Sequence, residues 1–384
     1  MKTVNPISAP GNGPSLTSYE SVNLDFLRSV AVLLVFGAHY YDIRNGASVN
    51  LGLLGVLMFF VHTCLVLMWS LERCNLRGRH LFAQFYVRRV MRIYPLAIVA
   101  VLFGYFFDAR WSPVNLWQSL TLTQYVFFKG SPSFPPQVTP LWTLPLEVGA
   151  YVALPVLFLA LRNRPVKLLA LIWPISVGLS WFQPQFGMGF TILRYMPCFL
   201  GGVVAWRLMR DRDRQRLPGW VWPLALATVV LLWKFFSTEK FIALWIAAVG
   251  ISLGLAIPLF REIRSSRVAE VSKIIARYSY GIYLSHFPIM VYIMTGRTPN
   301  HPLFKVFPPM PLIRHFARPI DAILVLSLTA FASFSLHYGI EKPGIQLGRA
   351  MAQWLASTSR PKKSDTPLKA DRGIAICEDS PQVT

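Results

Sequence analysis

Hydrophobic residues fall in long runs that short polar segments separate. Ten runs reach or approach the roughly 18 to 20 residues that a helix needs to cross a bilayer. They lie at about 24–43, 51–71, 93–108, 141–161, 167–183, 189–208, 220–236, 241–260, 279–295 and 319–339. The pattern predicts an all-α fold, a polytopic membrane helix bundle of about ten transmembrane helices.

The polar ends of the chain set the predicted domain boundaries. Residues 1–23 are polar and rich in Gly, Pro and Ser, so we expect a disordered N-terminal segment. They lack a cleavable signal pattern, so we expect the first helix to remain in the mature protein. Residues 24–347 form the predicted membrane-embedded domain. Residues 348–384 are polar and charged, which predicts a disordered basic C-terminal tail.

One further apolar stretch, PVNLWQSLTLTQYVFF at 113–128, is open to two interpretations. As an eleventh span it would reverse the sidedness of every later loop. We interpret it instead as a helix that is partly embedded at the outer surface, because this keeps the basic loops on one side of the membrane.

The composition is typical of a membrane protein, and the positions of the basic residues account for its net positive charge. Only 14% of the 384 residues are charged, against roughly 25% in soluble domains. The net charge of +21 would suit a nucleic-acid-binding protein, but most of the 38 lysines and arginines lie in alternate loops. Basic loops face the cytoplasm. We therefore predict cytoplasmic termini, a multi-pass protein of the cell membrane (the cytoplasmic membrane of a bacterium), and no nucleic-acid partner.

The first span, LDFLRSVAVLLVFGAHY at 24–40, carries ionisable residues at both ends. Arg28 and His39 are eleven residues apart, so they share one helix face and lie about 16 Å apart along the axis. Asp25 lies three residues from Arg28 and can pair with it. Each charge alone is compatible with an interfacial or packing role, but ionisable residues in a membrane often mark a functional path.

Three arginines cluster in FYVRRVMRIYP at 85–95. Arg88, Arg89 and Arg92 lie at the predicted inner mouth of the third span. They are either topology signals or an anion clamp, because paired guanidinium groups bind phosphate bidentately.

Further candidates lie in later spans. Glu147, in PLWTLPLEVGAYVALP at 140–155, is predicted at the depth of His39, where a carboxylate can orient an imidazole or exchange a proton with it. Glu147 also lies in the first turn of a predicted helix, where the helix dipole favours an acidic side chain. The remaining candidates, each also compatible with a packing role, line a possible substrate path: Asp25, His62, Tyr151, Arg194 and His286. No residue spacing predicts a metal site.

Taken in order, these segments resemble the acyltransferase-3 family of integral membrane O-acyltransferases. LDFLRSVAVLLVFGAHY resembles the family's L-D-x-L-R start with its Arg-x10-His spacing. The other resembling segments are GVLMFFVHTCLV, RRVMRIYP, LWTLPLEVGAYVALP, YSYGIYLSHFPI and IEKPGIQLG. The chain departs from the pattern at Val148 and Leu57, where the family has acidic residues, and at Thr63 and Cys64, where it has Ser-Gly.

The resemblance implies acyl transfer from a cytosolic acyl-CoA, with acetyl as the expected group, to a hydroxyl of a cell-surface or membrane-bound carbohydrate or glycolipid. It implies acyl-CoA as a substrate, membrane lipids as surroundings and no permanently bound cofactor. In this interpretation His39 is the general base, Glu147 assists it, and Arg28 with the three arginines of the clamp binds the donor. The alternative is a transporter or flippase without acyl-transfer chemistry. The oligomeric state stays open.

Overall fold

The structure is a computed structural model, and it describes residues 21–46, 50–73, 79–107, 112–125, 136–164, 166–186, 191–210, 217–295 and 318–358. Regular structure within these residues is helical, apart from one isolated parallel bridge between Leu217 and Phe260. The α-helices are α1 Val22–Asn45, α2 Leu51–Arg73, α3 Arg79–Phe107, α4 Pro113–Thr121, α5 Leu144–Leu161, α6 Lys167–Phe186, α7 Thr191–Met209, α8 Val221–Phe236, α9 Ile242–Ala256, α10 Ser266–Thr295, α11 Arg318–Leu336 and α12 Lys342–Thr358. Short 3-10 segments lie at Pro136–Thr143, Glu239–Phe241 and Ile257–Leu259, and a π-helical turn lies at His337–Glu341.

Among the residues that the structure describes, six helical stretches are long and apolar enough to cross a membrane. They are Val22–Asn45, Leu51–Arg73, Pro140–Leu161, Thr191–Met209, Glu239–Leu259 and Ile320–Ala356. The protein is therefore an all-helical, multi-pass membrane protein in the part that the structure describes. Every predicted span overlaps a helix, but the count of ten crossings and the side on which the termini lie stay predictions.

Three predicted boundaries are wrong. One is the start of the ninth predicted span, 279–295, because α10 begins thirteen residues earlier, at Ser266. The third predicted span, 93–108, belongs to a helix that begins fourteen residues earlier, at Arg79. The predicted tail 348–384 is helical as far as Thr358, where the described part of the chain ends. This helix, α12, forms because small residues let it pack closely on α3: a Cβ at Gly344 would lie 2.5 Å from the Met91 carbonyl oxygen.

The ambiguous stretch 113–128 contains the short helix α4. It has 9 residues and is thus about 13 Å long, which is too short to cross a bilayer. Leu122 ends it in the left-handed conformation, with φ 55°. Residues 126–128 and the segment 1–20 lie outside the described residues.

The bundle is centred on α1, which packs between α2 and α10. On the other side of α2, helices α7 and α9 cross in close contact. Glycines make this crossing possible, because a Cβ at Gly250 would lie 2.7 Å from the Pro197 carbonyl oxygen, and one at Gly201 would overlap the Gly250 backbone. Small residues at crossings are typical of membrane helices, whose backbones must approach closely to gain packing energy.

The start of α1 is held by the segment that precedes α10. The Asn23 side-chain amide donates to the Arg261 carbonyl at 2.9 Å and accepts from the Ile263 amide at 3.1 Å. The Trp222 indole donates to the Asn23 carbonyl at 3.1 Å. The Asn23 backbone N–H, which lacks a helical partner at the helix start, donates to the Glu262 carboxylate at 3.0 Å. These contacts join the first turn of α1 to the segment that precedes α10.

Candidate active site

A cavity opens among helices α1, α2, α3, α5 and α10. It encloses about 820 Å³ of empty space, part of which is open solvent at its mouth. Its polar and aromatic lining residues are Arg28, Phe59, Phe60, His62, Thr63, Arg89, Arg92, Thr143, Glu147, Tyr151, Ser279, Tyr280 and Tyr283. Three separate helices, α1, α3 and α5, thus bring three arginines and one carboxylate to one space.

Two of the three cavity arginines are buried, and Arg92 is half-buried. Arg28 is 8% exposed and Arg89 is 6% exposed. The Arg28 guanidinium interacts electrostatically with Arg92 and Glu147, and its buried Nε atom has no hydrogen-bond partner among the described residues. Burying like charges together is costly unless anions compensate them, and the cavity lining has one carboxylate, Glu147, against three arginines. The cavity is therefore suited to a negatively charged ligand.

Glu147 lies with these arginines and does not contact His39. The Tyr151 hydroxyl donates to the Glu147 carboxylate at 3.1 Å, and Arg28 and Arg92 interact with that carboxylate electrostatically. The expectation that Glu147 lies at the depth of His39 is thus corrected. The physical reason is the 3-10 segment Pro136–Thr143, which occupies the first part of this stretch, so that the α-helix α5 begins only at Leu144.

His39 lies at the opposite end of α1 from Arg28, and its partner is His286. The His39 Nδ1 and His286 Nε2 atoms are 2.9 Å apart, and the rings stack with centroids 5.2 Å apart. His286 is fully buried, whereas His39 is half-buried. The predicted candidates therefore separate into two groups along α1, the arginine cavity and the histidine pair.

Tyr283 lies between the two groups. It lines the cavity, and its ring centroid is 6.1 Å from that of His286. The Tyr283 hydroxyl is 2.7 Å from the Pro140 carbonyl oxygen and 2.8 Å from the Thr143 hydroxyl. This tyrosine, one helical turn before His286, connects the cavity to the histidine pair.

Other predicted site residues fall in different places. His62 lines the cavity near Arg28 and Arg92. Arg88 is buried but does not line the cavity, because it lies on the side of α3 that faces Gly348 of α12.

Asp25 and Arg194 also lie outside the cavity lining. Asp25 interacts electrostatically with Arg28. The backbone carbonyl of Arg194 accepts from the Ser180 hydroxyl at 2.7 Å.

One buried acid near the cavity was not among the residues predicted from the sequence. Glu341 is 2% exposed and contacts the His337 Nδ1 atom at 3.0 Å within the π-helical turn. It interacts electrostatically with Arg28. The motif IEKP contains Glu341, so the signal was present in the sequence, but only the fold brings that acid toward α1. π-helical turns often occur at functional sites.

Among the described residues, no group of three His, Cys, Asp or Glu side chains is arranged to hold a metal ion. The fold and the cavity define an integral membrane helix bundle with a buried, charged site. Residues 21–338 match the family model described as an acyltransferase domain, so the chain belongs to the acyltransferase-3 family and is an acyltransferase. This confirms the resemblance noted in the sequence. Comparison with curated proteins and with solved structures found no match.

Proposed function

We propose that the protein transfers an acyl group, with acetyl expected, from cytosolic acyl-CoA to a hydroxyl of a cell-surface or membrane-bound carbohydrate or glycolipid. The observation that supports this most is the convergence of Arg28, Arg89 and Arg92 in one cavity at the opposite end of α1 from His39.

The arginines are the proposed donor site. A coenzyme A carries phosphate groups at one end and the thioester at the other, so it needs an anion site separated from the reacting atoms. Guanidinium groups bind phosphate oxygens with paired hydrogen bonds. Arg28 and His39 are about 16 Å apart along α1, a separation comparable to the length of the pantetheine arm.

His39 is the proposed general base. Attack of a hydroxyl on a thioester requires removal of the hydroxyl proton as the new bond forms, and neutral imidazole is suited to this near neutral pH. The half-buried His39 is accessible to an acceptor, whereas fully buried His286 is not.

Glu147 has a different proposed role from the one that its sequence position suggested. Its carboxylate lies among the donor-site arginines, where it compensates their charge when no donor is bound. A negative charge in an anion site also weakens the binding of the released coenzyme A, and this favours product release.

The decisive experiment uses purified protein in lipid vesicles with acyl-CoA that is isotopically labelled in the acyl group. Label in a glycolipid acceptor fraction, absent with His39→Ala, would support the proposal. Transport of a glycan or anion without any thioester cleavage would instead establish the transporter alternative. Mass spectrometry of cell-surface glycans with and without the gene would identify the acyl group and the acceptor.

A further inference from the structure

His39 and His286 belong to a continuous chain of hydrogen-bonding atoms that ends at the backbone. The His286 Nδ1 atom lies 2.8 Å from the Ile282 carbonyl oxygen, one turn earlier in α10. Its Nε2 atom lies 2.9 Å from His39 Nδ1. His39 itself has no other hydrogen bond among the described residues.

The chemistry of these atoms determines where the hydrogens lie. A carbonyl oxygen only accepts, so His286 Nδ1 must carry the hydrogen in its contact with Ile282. A neutral imidazole has one N–H, and so His286 Nε2 carries a lone pair and accepts from His39 Nδ1. His39 is therefore the Nδ1–H tautomer, and its basic lone pair is on Nε2.

We propose that His286 is a positioning residue that holds His39 in this tautomer and presents His39 Nε2 to the acceptor hydroxyl. The proposal rests on the acyl transfer proposed above. A second ring nitrogen that is fixed by a hydrogen bond is the usual way in which proteins choose the reactive nitrogen of a histidine. His286 does not act as the base, because its own lone pair is already engaged by His39.

This arrangement determines which atom holds the transferred proton at each step of the reaction. The acceptor hydroxyl gives its proton to His39 Nε2 while its oxygen bonds to the thioester carbonyl carbon. The carbon–sulfur bond then breaks, and the coenzyme A thiolate takes that proton from Nε2. The products are an ester and a free thiol, and His39 is again neutral. Throughout, the His39 Nδ1–H continues to donate to His286.

Aromatic packing keeps both rings in place. Phe287 meets the His39 ring edge-on, with centroids 5.0 Å apart, and Phe36 lies 6.0 Å from the His286 ring. Such contacts hold the ring in one orientation, so the direction of Nε2 is determined before the acceptor arrives.

The test compares two substitutions of similar size at position 286. In His286→Gln the amide oxygen reaches the place of the imidazole Nε2 and accepts from His39. His286→Phe fills the space without an acceptor. We expect His286→Gln to keep kcat within about tenfold of the wild type, and His286→Phe to lose about 10²-fold or more, a substantial part of what general-base catalysis contributes. The KM for acyl-CoA should stay unchanged in both, because the donor binds at the arginines.

Nitrogen-15 NMR of histidine-labelled protein provides a readout that does not depend on activity. The protein has seven histidines, and a His39→Gln variant assigns the His39 signal. We expect the Nδ1–H tautomer at His39 in the wild type and in His286→Gln, and a mixture of tautomers in His286→Phe. An Nε2–H tautomer in the wild type, or wild-type kcat in His286→Phe, would overturn the proposal. Full acyl transfer by His39→Ala would instead refute the role of His39 as the base, and absence of acyl transfer by the wild type would refute the proposed function itself.

Discussion

Removing one guanidinium group from the cavity tests whether the arginines bind the donor. Arg92 shares the cavity with Arg28 and Arg89, and we expect Arg92→Gln to weaken acyl-CoA binding. A hydrogen bond to a charged group contributes about 1.5–3 kcal/mol. Since about 1.4 kcal/mol corresponds to a tenfold change, Kd should rise roughly 10- to 150-fold.

The matched control is Arg88→Gln, which removes the same charge from the same helix. Arg88 lies toward Gly348 of α12 and not in the cavity, so its loss should change the Kd for acyl-CoA far less. Arg92→Lys should restore binding only in part, because an ammonium group does not make the paired contact of a guanidinium.

The assay is equilibrium binding of radiolabelled acyl-CoA to protein in lipid nanodiscs, at several salt concentrations. Thermal unfolding of each variant, followed in parallel, shows whether the fold is intact. Equal Kd values for Arg92→Gln and wild type would refute the donor-site assignment. Equal losses in Arg92→Gln and Arg88→Gln would show that general charge on α3, and not the cavity, governs binding.

Four further outcomes are expected. His39→Ala should lower the rate of labelled acyl transfer by roughly 10²–10⁴-fold, while acyl-CoA binding measured as above persists. Glu147→Gln should tighten acyl-CoA binding and slow coenzyme A release, as followed by stopped-flow; lost turnover with unchanged affinity would show instead that the carboxylate takes part in the chemistry. Gly250→Val should destabilise the protein by about 1–3 kcal/mol, seen as a lower Tm, because its Cβ would lie 2.7 Å from a backbone carbonyl oxygen. In a cysteine-free background, an impermeant thiol reagent should label Asn45→Cys from outside the cell and spare Arg210→Cys, and the reverse pattern would invert the predicted topology.

Sequence patterns predicted the helices well because the hydrophobic run is a local property. Burying a long apolar segment in lipid requires only that its own backbone hydrogen bonds are satisfied, which a helix achieves without reference to the rest of the chain. The hydrophobic pattern did not predict the start of α10 or the continuation of α11 into α12, because these parts contain polar residues. Their helical form depends on neighbours such as α3, on which α12 packs.

The Arg28–His39 spacing could also be obtained from sequence, since one helix carries both residues. The direction in which each arginine of α3 points could not be obtained from sequence. Arg88 and Arg89 are adjacent in the chain, but successive helical residues differ by about 100° in direction, and only the position of α3 among its neighbours decides which one faces the cavity.

The remaining features of the site depend on tertiary structure alone. His39 and His286 are 247 residues apart in the chain, and no local pattern shows that their ring nitrogens meet. Glu147 lies near Arg28 because a 3-10 segment takes up the first part of its stretch and contacts Tyr283 of α10. The sequence by itself determined which segments are helical and which charges they carry, because both are properties of single segments. The fold decided which charges share a cavity, because that depends on how helices distant in the chain pack against one another.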